Sequence, residues 1–230
     1  MTVRIPTLDG RAEFGGYLAV PKRPSAGVVV IQEIFGVTPF IRSFCDFLAS
    51  RQLIALAPDL FWRIEEGIVI PESEMQRARD LRMKTDDNLA SDDVAAAMNW
   101  LAKHELCTGH VGVTGFCWGG MLAYLTAVRH KPEAAVSFYG VGIENKLDQA
   151  NNLACPLLLH YAELDKFAPP EASAKVRDAF KDDPRVVLYN YPGCDHAFAR
   201  RGGHNFQPYH ADQAEMRTLS FLVEKLIGHR

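Results

Sequence analysis

Short β-branched runs alternate with helical patterns along this chain, and that alternation constrains the fold more than any other feature of the sequence. Most of the runs are apolar throughout, which is typical of parallel strands buried on both faces. Six runs predict strands: 27–31, 53–57, 110–114, 134–138, 155–160 and 186–191. Because parallel strands need crossover connections, the sequence predicts an α/β fold with a mainly parallel central sheet and helices on both faces.

Helix starts and buried helix faces are also marked in the sequence. Thr38 and Pro39 suit the N-cap and the first position of a helix that ends near Arg51. Pro169 and Pro170 similarly open a second helix. Two further segments carry apolar residues at i, i+3, i+4 and i+7, and so predict helices with one buried face. These residues are Val94, Ala97, Met98 and Leu101 in one segment and Leu219, Leu222, Val223 and Leu226 in the other.

The segment 64–80 is the least regular part of the chain. Glycine, proline and glutamates interrupt it, so we expect a loop over the edge of the sheet. It is too short to form a cap domain. Chains of about 230 residues with this pattern commonly form one domain, so we expect residues 1–230 to form a single domain with no separate cap.

Charge and composition argue against several classes of partner. The formal net charge is −3, the pI is near 6.2, and no block is rich in lysine or arginine, so we expect no nucleic-acid partner. Charges interrupt the first 20 residues, which form neither a secretory leader nor a membrane span. We therefore expect a cytoplasmic protein that does not bind membranes.

The five cysteines predict free thiols and not a disulfide framework. Their number is odd and they show no CxxC or cysteine–histidine ligand spacing. We expect reduced thiols, no metal and no organic cofactor. Cys194 lies two residues before His196 and could therefore approach a pocket, although packing within a loop is the favoured interpretation.

The sequence GFCWGG at 115–120 places Cys117 in a glycine-flanked turn between a predicted strand and a helix. Such a cysteine alone is more often a buried structural thiol, so its interpretation depends on its neighbours. Glu33, Asp165 and His196 each follow a different predicted strand, and functional groups gather beyond the carboxyl ends of parallel strands. The order nucleophile, acid, histidine and the Gly-x-Cys-x-Gly turn are typical of the α/β-hydrolase fold, with sulfur replacing oxygen.

Acyl transfer from an ester carbonyl would give the acid and the histidine defined roles. His196 would orient or deprotonate the sulfur and later protonate the leaving oxygen or activate water. Asp165 would hold the other ring nitrogen and fix the tautomer, with Glu163 as the alternative acid.

The oxyanion formed in such a reaction needs fixed hydrogen-bond donors. We assign the backbone N–H of Trp118, which follows the nucleophile, and that of Ile34, in the loop after an early strand. Glu33 next to it is, from composition alone, equally well explained as a solvated carboxylate at the end of a strand.

Six stretches together resemble the dienelactone hydrolases, also known as carboxymethylenebutenolidases. They occur in the order of that family and extend from about residue 25 to the last helix. They are QEIFGV at 32–37, PDL at 58–60, GFCWGG at 115–120, FYGVGIE at 138–144, DKF at 165–167 and GCDHAFAR at 193–200.

The resemblance implies hydrolysis of an unsaturated lactone that bears a free carboxylate, in the degradation of aromatic compounds. It maps the catalytic triad of the family onto Cys117, Asp165 and His196. It also implies that the thiol rests neutral until substrate binding frees Glu33 to take its proton. A carboxylate in a closing, water-poor pocket does become more basic when its charged partners are diverted.

The resemblance also implies positions that bind the substrate. Arg200, four residues after the histidine, would bind the carboxylate. A second arginine would come from MQRARDLRMK, where Arg77 is favoured over Arg79 and Arg82, although each also fits a solvated helix face. Tyr139 would reach the pocket rim or have a packing role. Trp118, the residue after the nucleophile, is bulkier than the aliphatic residue of other family members, which implies a differently shaped pocket.

We expect a small-molecule lactone or ester as the substrate of a monomer or homodimer. One alternative is a broader carboxylesterase or thioesterase that uses the same triad. An alternative from another class is a non-catalytic protein whose exposed thiol senses oxidants or binds a ligand.

Overall fold

The computed structural model describes residues 1–228, which form two compact units, 1–113 and 114–228. The expected single domain over 1–230 stays a prediction, and its last two residues lie outside the described part. No helix within residues 1–228 combines the length and the apolar character that crossing a bilayer requires.

The sheet of the first unit has two fully buried strands, Ser25–Ile31 and Ile54–Pro58, at its centre. In this unit the order of the strands is β1-β2-β4-β3-β5. The strands are β1 (Thr2–Pro6), β2 (Glu13–Ala19), β3 (Ser25–Ile31), β4 (Ile54–Pro58) and the start of β5 (Cys107–Phe116). β2 pairs antiparallel with β1 and β4, whereas β3 pairs parallel with β4. The helices are α1 (Pro39–Ser50), α2 (Met75–Met83) and α3 (Asp87–Ala102).

The second unit continues from the end of β5, in the strand order β5-β6-β7-β8. Its strands and helices alternate as α4 (Trp118–His130), β6 (Ala135–Phe138), β7 (Leu157–Ala162), α5 (Pro170–Ala179), β8 (Val186–Tyr191) and α6 (Pro208–Ile227). β7 pairs parallel with both β6 and β8, and every residue of β6 and β7 is buried. The carboxyl ends of these parallel strands therefore point the same way within the unit.

The alternating pattern predicted the α/β fold class and its mainly parallel strands correctly. Each of the six predicted strands is present, with ends that shift by up to three residues. Thr38 is the N-cap of α1, because its side chain accepts a hydrogen bond from the N–H of Ile41. The sequence analysis missed β1 and β2, whose alternation is weakened by the glycines and charged residues of a half-exposed hairpin.

Two expectations about helices were wrong. The loop expected over 64–80 contains the first part of α2, which begins at Met75 and buries only Ala78 and Leu81, too few residues to give a clear apolar stripe. In α6, Val223 is exposed, because small side chains carry much of the buried face. That face consists of Ala211, Ala214, Glu215, Thr218, Leu222 and Leu226.

Gly120 allows α4 to approach β6 closely. A Cβ at this position would lie 2.7 Å from the carbonyl oxygen of Phe138 and 2.9 Å from the Cα of Gly140. Both are backbone atoms, so a larger residue would displace the start of the helix.

The substitution Gly120→Ala tests this packing through the sign of its effect. Helix propensity alone predicts that alanine stabilises the protein by roughly 0.5–1 kcal/mol. The overlap with two backbone atoms instead predicts a decrease in the free energy of unfolding of about 1–3 kcal/mol, measurable by urea denaturation. An increase in that free energy would contradict the close approach.

Candidate active site

Cys117 occupies a sharp bend between the end of β5 and the first residue of α4. Its backbone angles are φ 58° and ψ −118°, a conformation that residues with a side chain seldom adopt. The N–H of Cys117 donates to the carbonyl of Phe138 at 3.0 Å. Strain of this kind persists only where the surroundings fix the backbone, and it concentrates at functional sites.

The carbonyl group of Cys117 holds the other side of the bend. It accepts hydrogen bonds from the N–H groups of Gly120 at 3.0 Å, Met121 at 3.3 Å and Val141 at 3.2 Å. The bend is therefore fastened both to its own helix and to the segment that follows β6. The thiol projects from a rigid base.

Asp165 lies in the turn that follows β7 and is buried. Its Oδ1 accepts hydrogen bonds from the N–H groups of Phe167 at 2.7 Å and Ala168 at 3.0 Å, which fix the carboxylate in the turn. Its Oδ2 lies 2.7 Å from Nδ1 of His196. One oxygen thus shapes the local turn while the other is directed at the imidazole.

His196 lies in the loop after β8, and its ring is enclosed by protein. Nδ1 is bound to Asp165, and the imidazole also hydrogen-bonds the side chain of Cys117. Tyr139 and Phe167 pack edge-on against the ring, with centroids 5.1 and 4.9 Å away. Asn205 donates from Nδ2 to the carbonyl of His196 at 2.9 Å, which anchors the backbone of the loop.

The electrostatic environment favours the protonated form of His196. Burial lowers the pKa of the imidazole, but the negative charge of Cys117 and the hydrogen bonds to Asp165 and Cys117 raise it, and the net effect is a pKa of about 10. A protonated imidazole in this position can stabilise negative charge on a neighbouring sulfur and later give up its proton. The second unit thus places a thiol, an imidazole and a carboxylate in one hydrogen-bonded series, which is an arrangement suited to nucleophilic catalysis.

The other acids near this loop have different partners. The Glu163 carboxylate accepts a hydrogen bond from the N–H of Gly193 at 2.8 Å, and Asp195 accepts one from the N–H of His196 at 2.7 Å. Both therefore support the turn after β8. The geometry brings Asp165, and not Glu163, to the imidazole ring.

Arg200 and Tyr139 lie in the same unit and are both buried. Gly203 makes room for the arginine, since a Cβ there would lie 3.1 Å from Cδ of Arg200. Tyr139 has a φ of 39°, its N–H donates to the carbonyl of His160 at 2.7 Å, and its ring contacts His196. Packing against the imidazole ring of His196 is therefore one observed role of Tyr139.

Glu33 and Ile34 belong to the first unit, directly after β3. Glu33 is buried and is bridged to Gly36 within a tight turn. Arg77 is about half exposed and pairs with the carboxylates of Glu74 at 3.0 Å and Glu65 at 3.7 Å.

The other arginine candidates also lie in the first unit, on α2. The Arg82 guanidinium pairs with Asp87 at 2.5 Å and donates to the carbonyl of Thr85 at 3.2 Å. Arg79 lies on α2 between Arg77 and Arg82.

Sequence reasoning missed two residues that contact His196. Phe167 covers the ring and Asn205 holds the backbone carbonyl. Phe167 is two residues from the predicted acid, so its position in the turn was a usable signal. Asn205 is nine residues beyond the histidine in an irregular loop, and no pattern in the sequence distinguishes it.

Comparison with protein-family models and with known sequences identifies one family. The model of the dienelactone hydrolase family matches residues 14–226. The carboxymethylenebutenolidase of Pseudomonas sp. (strain P51) is 38% identical over 219 residues, covering 93% of this chain and 91% of that protein. Carboxymethylenebutenolidase 1 of Cupriavidus pinatubonensis is 34% identical over 226 residues, covering 96% and 95%.

A crystal structure of a dienelactone hydrolase from Anabaena variabilis superimposes with a TM-score of 0.74 at 18% identity. The match covers 98% of this chain and 97% of that chain. At this identity the likeness concerns the fold alone, and it supports the α/β-hydrolase fold predicted from the sequence.

The raised pKa of His196 depends on Cys117 and can be measured by NMR titration of the imidazole. In the wild-type protein the imidazolium should persist at neutral pH and decrease as the pH rises through about 10. Cys117→Ala removes a charge and a hydrogen bond that raise this pKa but leaves the burial that lowers it. The pKa should therefore fall.

Cys194→Ala is the matched control, because it removes a buried thiol two residues from His196 that is not among the causes of the shift. The control should titrate as the wild type does. An unchanged His196 pKa in Cys117→Ala would contradict the contribution of Cys117 to the raised pKa.

Proposed function

The chain belongs to the dienelactone hydrolase family and is a carboxylic ester hydrolase, and on this premise we propose that it opens a dienelactone-type lactone through a thioester on Cys117. The observation that carries the proposal is the arrangement in the second unit. His196 lies 2.7 Å from the Asp165 carboxylate and hydrogen-bonds the Cys117 side chain at a strained bend.

The proposed reaction has two halves. The Cys117 thiolate attacks the lactone carbonyl, and the carbon–oxygen bond of the ring breaks to give a thioester and an enolate, which takes its proton from the imidazolium of His196 and leaves that ring neutral. Water, deprotonated by neutral His196, then attacks the thioester and releases the carboxylic acid and the thiolate. Asp165 keeps the imidazole oriented through both halves. The N–H groups of Trp118 and Ile34 are proposed to stabilise the oxyanion.

We assign Glu33 the role of a base that takes the thiol proton when substrate is bound. This role comes from the family motif QEIFG, and burial of Glu33 in the turn after β3 is compatible with it. The family resemblance implies that the thiol rests neutral until substrate is bound. A large loss of activity in Glu33→Gln would support the base role, and unchanged activity would contradict it.

Arg200 is proposed to bind the free carboxylate of the substrate. It is a buried cation on the loop that carries His196, four residues along the chain. A buried guanidinium binds a carboxylate through short, charge-assisted hydrogen bonds. Arg77 and Tyr139 remain further candidates for contacts with substrate.

The contacts of Arg77 favour a second candidate function, a broader carboxylesterase or thioesterase. Its guanidinium is already paired with two glutamates, so a second carboxylate-binding arginine would have to exchange these partners. A broader carboxylesterase or thioesterase needs only the triad. Substrate pairs with and without a carboxylate separate the two functions.

The wider setting is proposed on the same basis. A small-molecule lactone or ester is the expected partner of a monomer or homodimer in the cytoplasm. All five cysteines are free thiols, which fits a reducing compartment. We propose no metal and no organic cofactor for the reaction, since each step uses side chains of the protein.

Removal of the Cys117 thiol distinguishes an enzyme from a non-catalytic protein that senses oxidants through this thiol. Cys117→Ala should lower kcat/KM for dienelactone by roughly 10⁴-fold or more, because it removes the covalent route. The decrease in dienelactone absorbance under reducing conditions gives the rate. Cys194→Ala, which removes another buried thiol, should retain wild-type activity. Equal turnover by Cys117→Ala and wild type would contradict the mechanism.

The carboxylate contact is tested by Arg200→Ala on two substrates. For a carboxylate-bearing lactone, loss of a charge-assisted hydrogen bond worth about 1.5–3 kcal/mol should lower kcat/KM by roughly 10- to 150-fold. A neutral aryl ester lacks this contact, so it serves as the internal control and should lose much less. Equal losses on both substrates would refute the carboxylate contact.

A further inference from the structure

The turn that carries Glu33 and Ile34 is held from outside by another segment of the first unit. Val69 forms an isolated antiparallel bridge with Gly36, and the N–H of Ile70 donates to the carbonyl of Phe35 at 2.9 Å. The approach is so close that a Cβ on Gly36 would lie 2.1 Å from the carbonyl oxygen of Ile68. The segment 68–70 therefore fixes where the turn lies.

Asp59 in turn holds the start of that segment. It follows β4 and is 6% exposed. Its Oδ2 accepts a hydrogen bond from the N–H of Gly67 at 2.6 Å, and its Oδ1 accepts one from the N–H of Phe61 at 3.0 Å. The carboxylate thus closes the loop 60–67 and delivers the chain to Ile68 in a fixed position.

A second link joins the same loop to the residue before Glu33. Gln32 is buried, and its Oε1 accepts a hydrogen bond from the N–H of Leu60 at 3.1 Å. Leu60 is the direct neighbour of Asp59. The Glu33 turn is therefore held at both ends. Gln32 binds Leu60 before the turn, and Gly36 is bridged to Val69 after it.

We propose that Asp59 is a positioning residue for the reaction. It sets the placement of the Glu33 carboxylate and the Ile34 N–H by holding Gly67 and, through it, the bridge between Val69 and Gly36. The effect of this placement on turnover rests on the function proposed above. There Glu33 takes the thiol proton and the N–H of Ile34 stabilises the oxyanion.

The chemistry of the two contacts explains why this position carries a carboxylate. An ionised carboxylate accepts hydrogen bonds at both oxygens, so it can serve two backbone donors at once. Asparagine has the same shape but one acceptor, and its NH₂ group would face one of the two N–H donors. Asp59→Asn therefore breaks one contact while keeping the volume of the side chain.

Asp93 provides a matched control in the same unit. It is also buried, accepts a hydrogen bond from Nε1 of Trp62 at 2.9 Å and pairs with Arg63. These contacts tie the start of the 60–67 loop to α3. Asp93→Asn therefore measures the cost of weakening a buried carboxylate network without removing either bond of Asp59.

The experiment compares Asp59→Asn with Asp93→Asn in hydrogen exchange and in kinetics. In Asp59→Asn, exchange of the Ile70 amide should accelerate by about tenfold or more relative to wild type, since a lost hydrogen bond of about 1.4 kcal/mol corresponds to that factor. kcat/KM for dienelactone should fall roughly 10- to 100-fold, as for a catalytic group displaced by about 1 Å. Asp93→Asn should change neither quantity comparably.

A positioning role also predicts non-additivity. If Asp59 acts through Glu33, the loss caused by Asp59→Asn should be smaller in a Glu33→Gln background than in the wild type. The loss caused by Asp93→Asn should be the same in both backgrounds. Fully additive losses, or equal behaviour of the two asparagine variants, would overturn the proposal.

A second variant and a measurement independent of activity distinguish failure of the Asp59 proposal from failure of the proposed function. If Asp59→Asn does not fold, Gly36→Ala disturbs the same contact from the other side and should give the same exchange and kinetic changes with Asp59 intact. If the wild-type protein fails to hydrolyse lactones and esters, the proposed function is refuted. The exchange of Ile70 then still decides whether Asp59 holds the turn.

Discussion

The strained bend at Cys117 is the constraint on which the rest of the candidate site depends. A residue with a side chain adopts φ 58° and ψ −118° only when the surrounding backbone holds it there. Here the N–H and the carbonyl of Cys117 are both bound, and Gly120 lets the helix start directly behind the bend. The thiol is thereby directed at His196. Asn205 holds the backbone of the His196 loop, and two backbone N–H groups hold the carboxylate of Asp165.

Hydrogen bonds and backbone bridges fix the candidate catalytic residues in both units. In the second, Asp165 uses one oxygen to hold its own turn and the other to orient His196. In the first, the turn with Glu33 is held by a segment that a buried aspartate fastens. Preorganised groups need not reorganise as charge develops, which is the largest single contribution in many acyl-transfer enzymes. The family membership and these local geometries together support ester hydrolysis.

The sequence predicted the α/β fold and six of the eight strands of the described residues, because buried strands follow from local chemistry. It also singled out Cys117, Asp165 and His196, which the structure brings together and whose catalytic roles are proposals. It could not predict the start of α2, where only Ala78 and Leu81 are buried, or the true face of α6, which small residues carry. Nor could it show that Asn205 holds His196, since that contact depends on how an irregular loop folds back. The roles of Glu33, Arg200 and Arg77 rest on the family resemblance and remain predictions.

Acyl transfer is proposed to pass through the sulfur of Cys117. Rapid acid quenching of the protein during turnover of a dienelactone or a slow aryl ester, followed by mass spectrometry of its peptides, tests this directly. A thioester raises the mass of its peptide by the mass of the acyl group. We predict this increase on the peptide that contains Cys117 and on no other cysteine. Turnover without any adduct on this peptide, or an adduct on another residue, would contradict it.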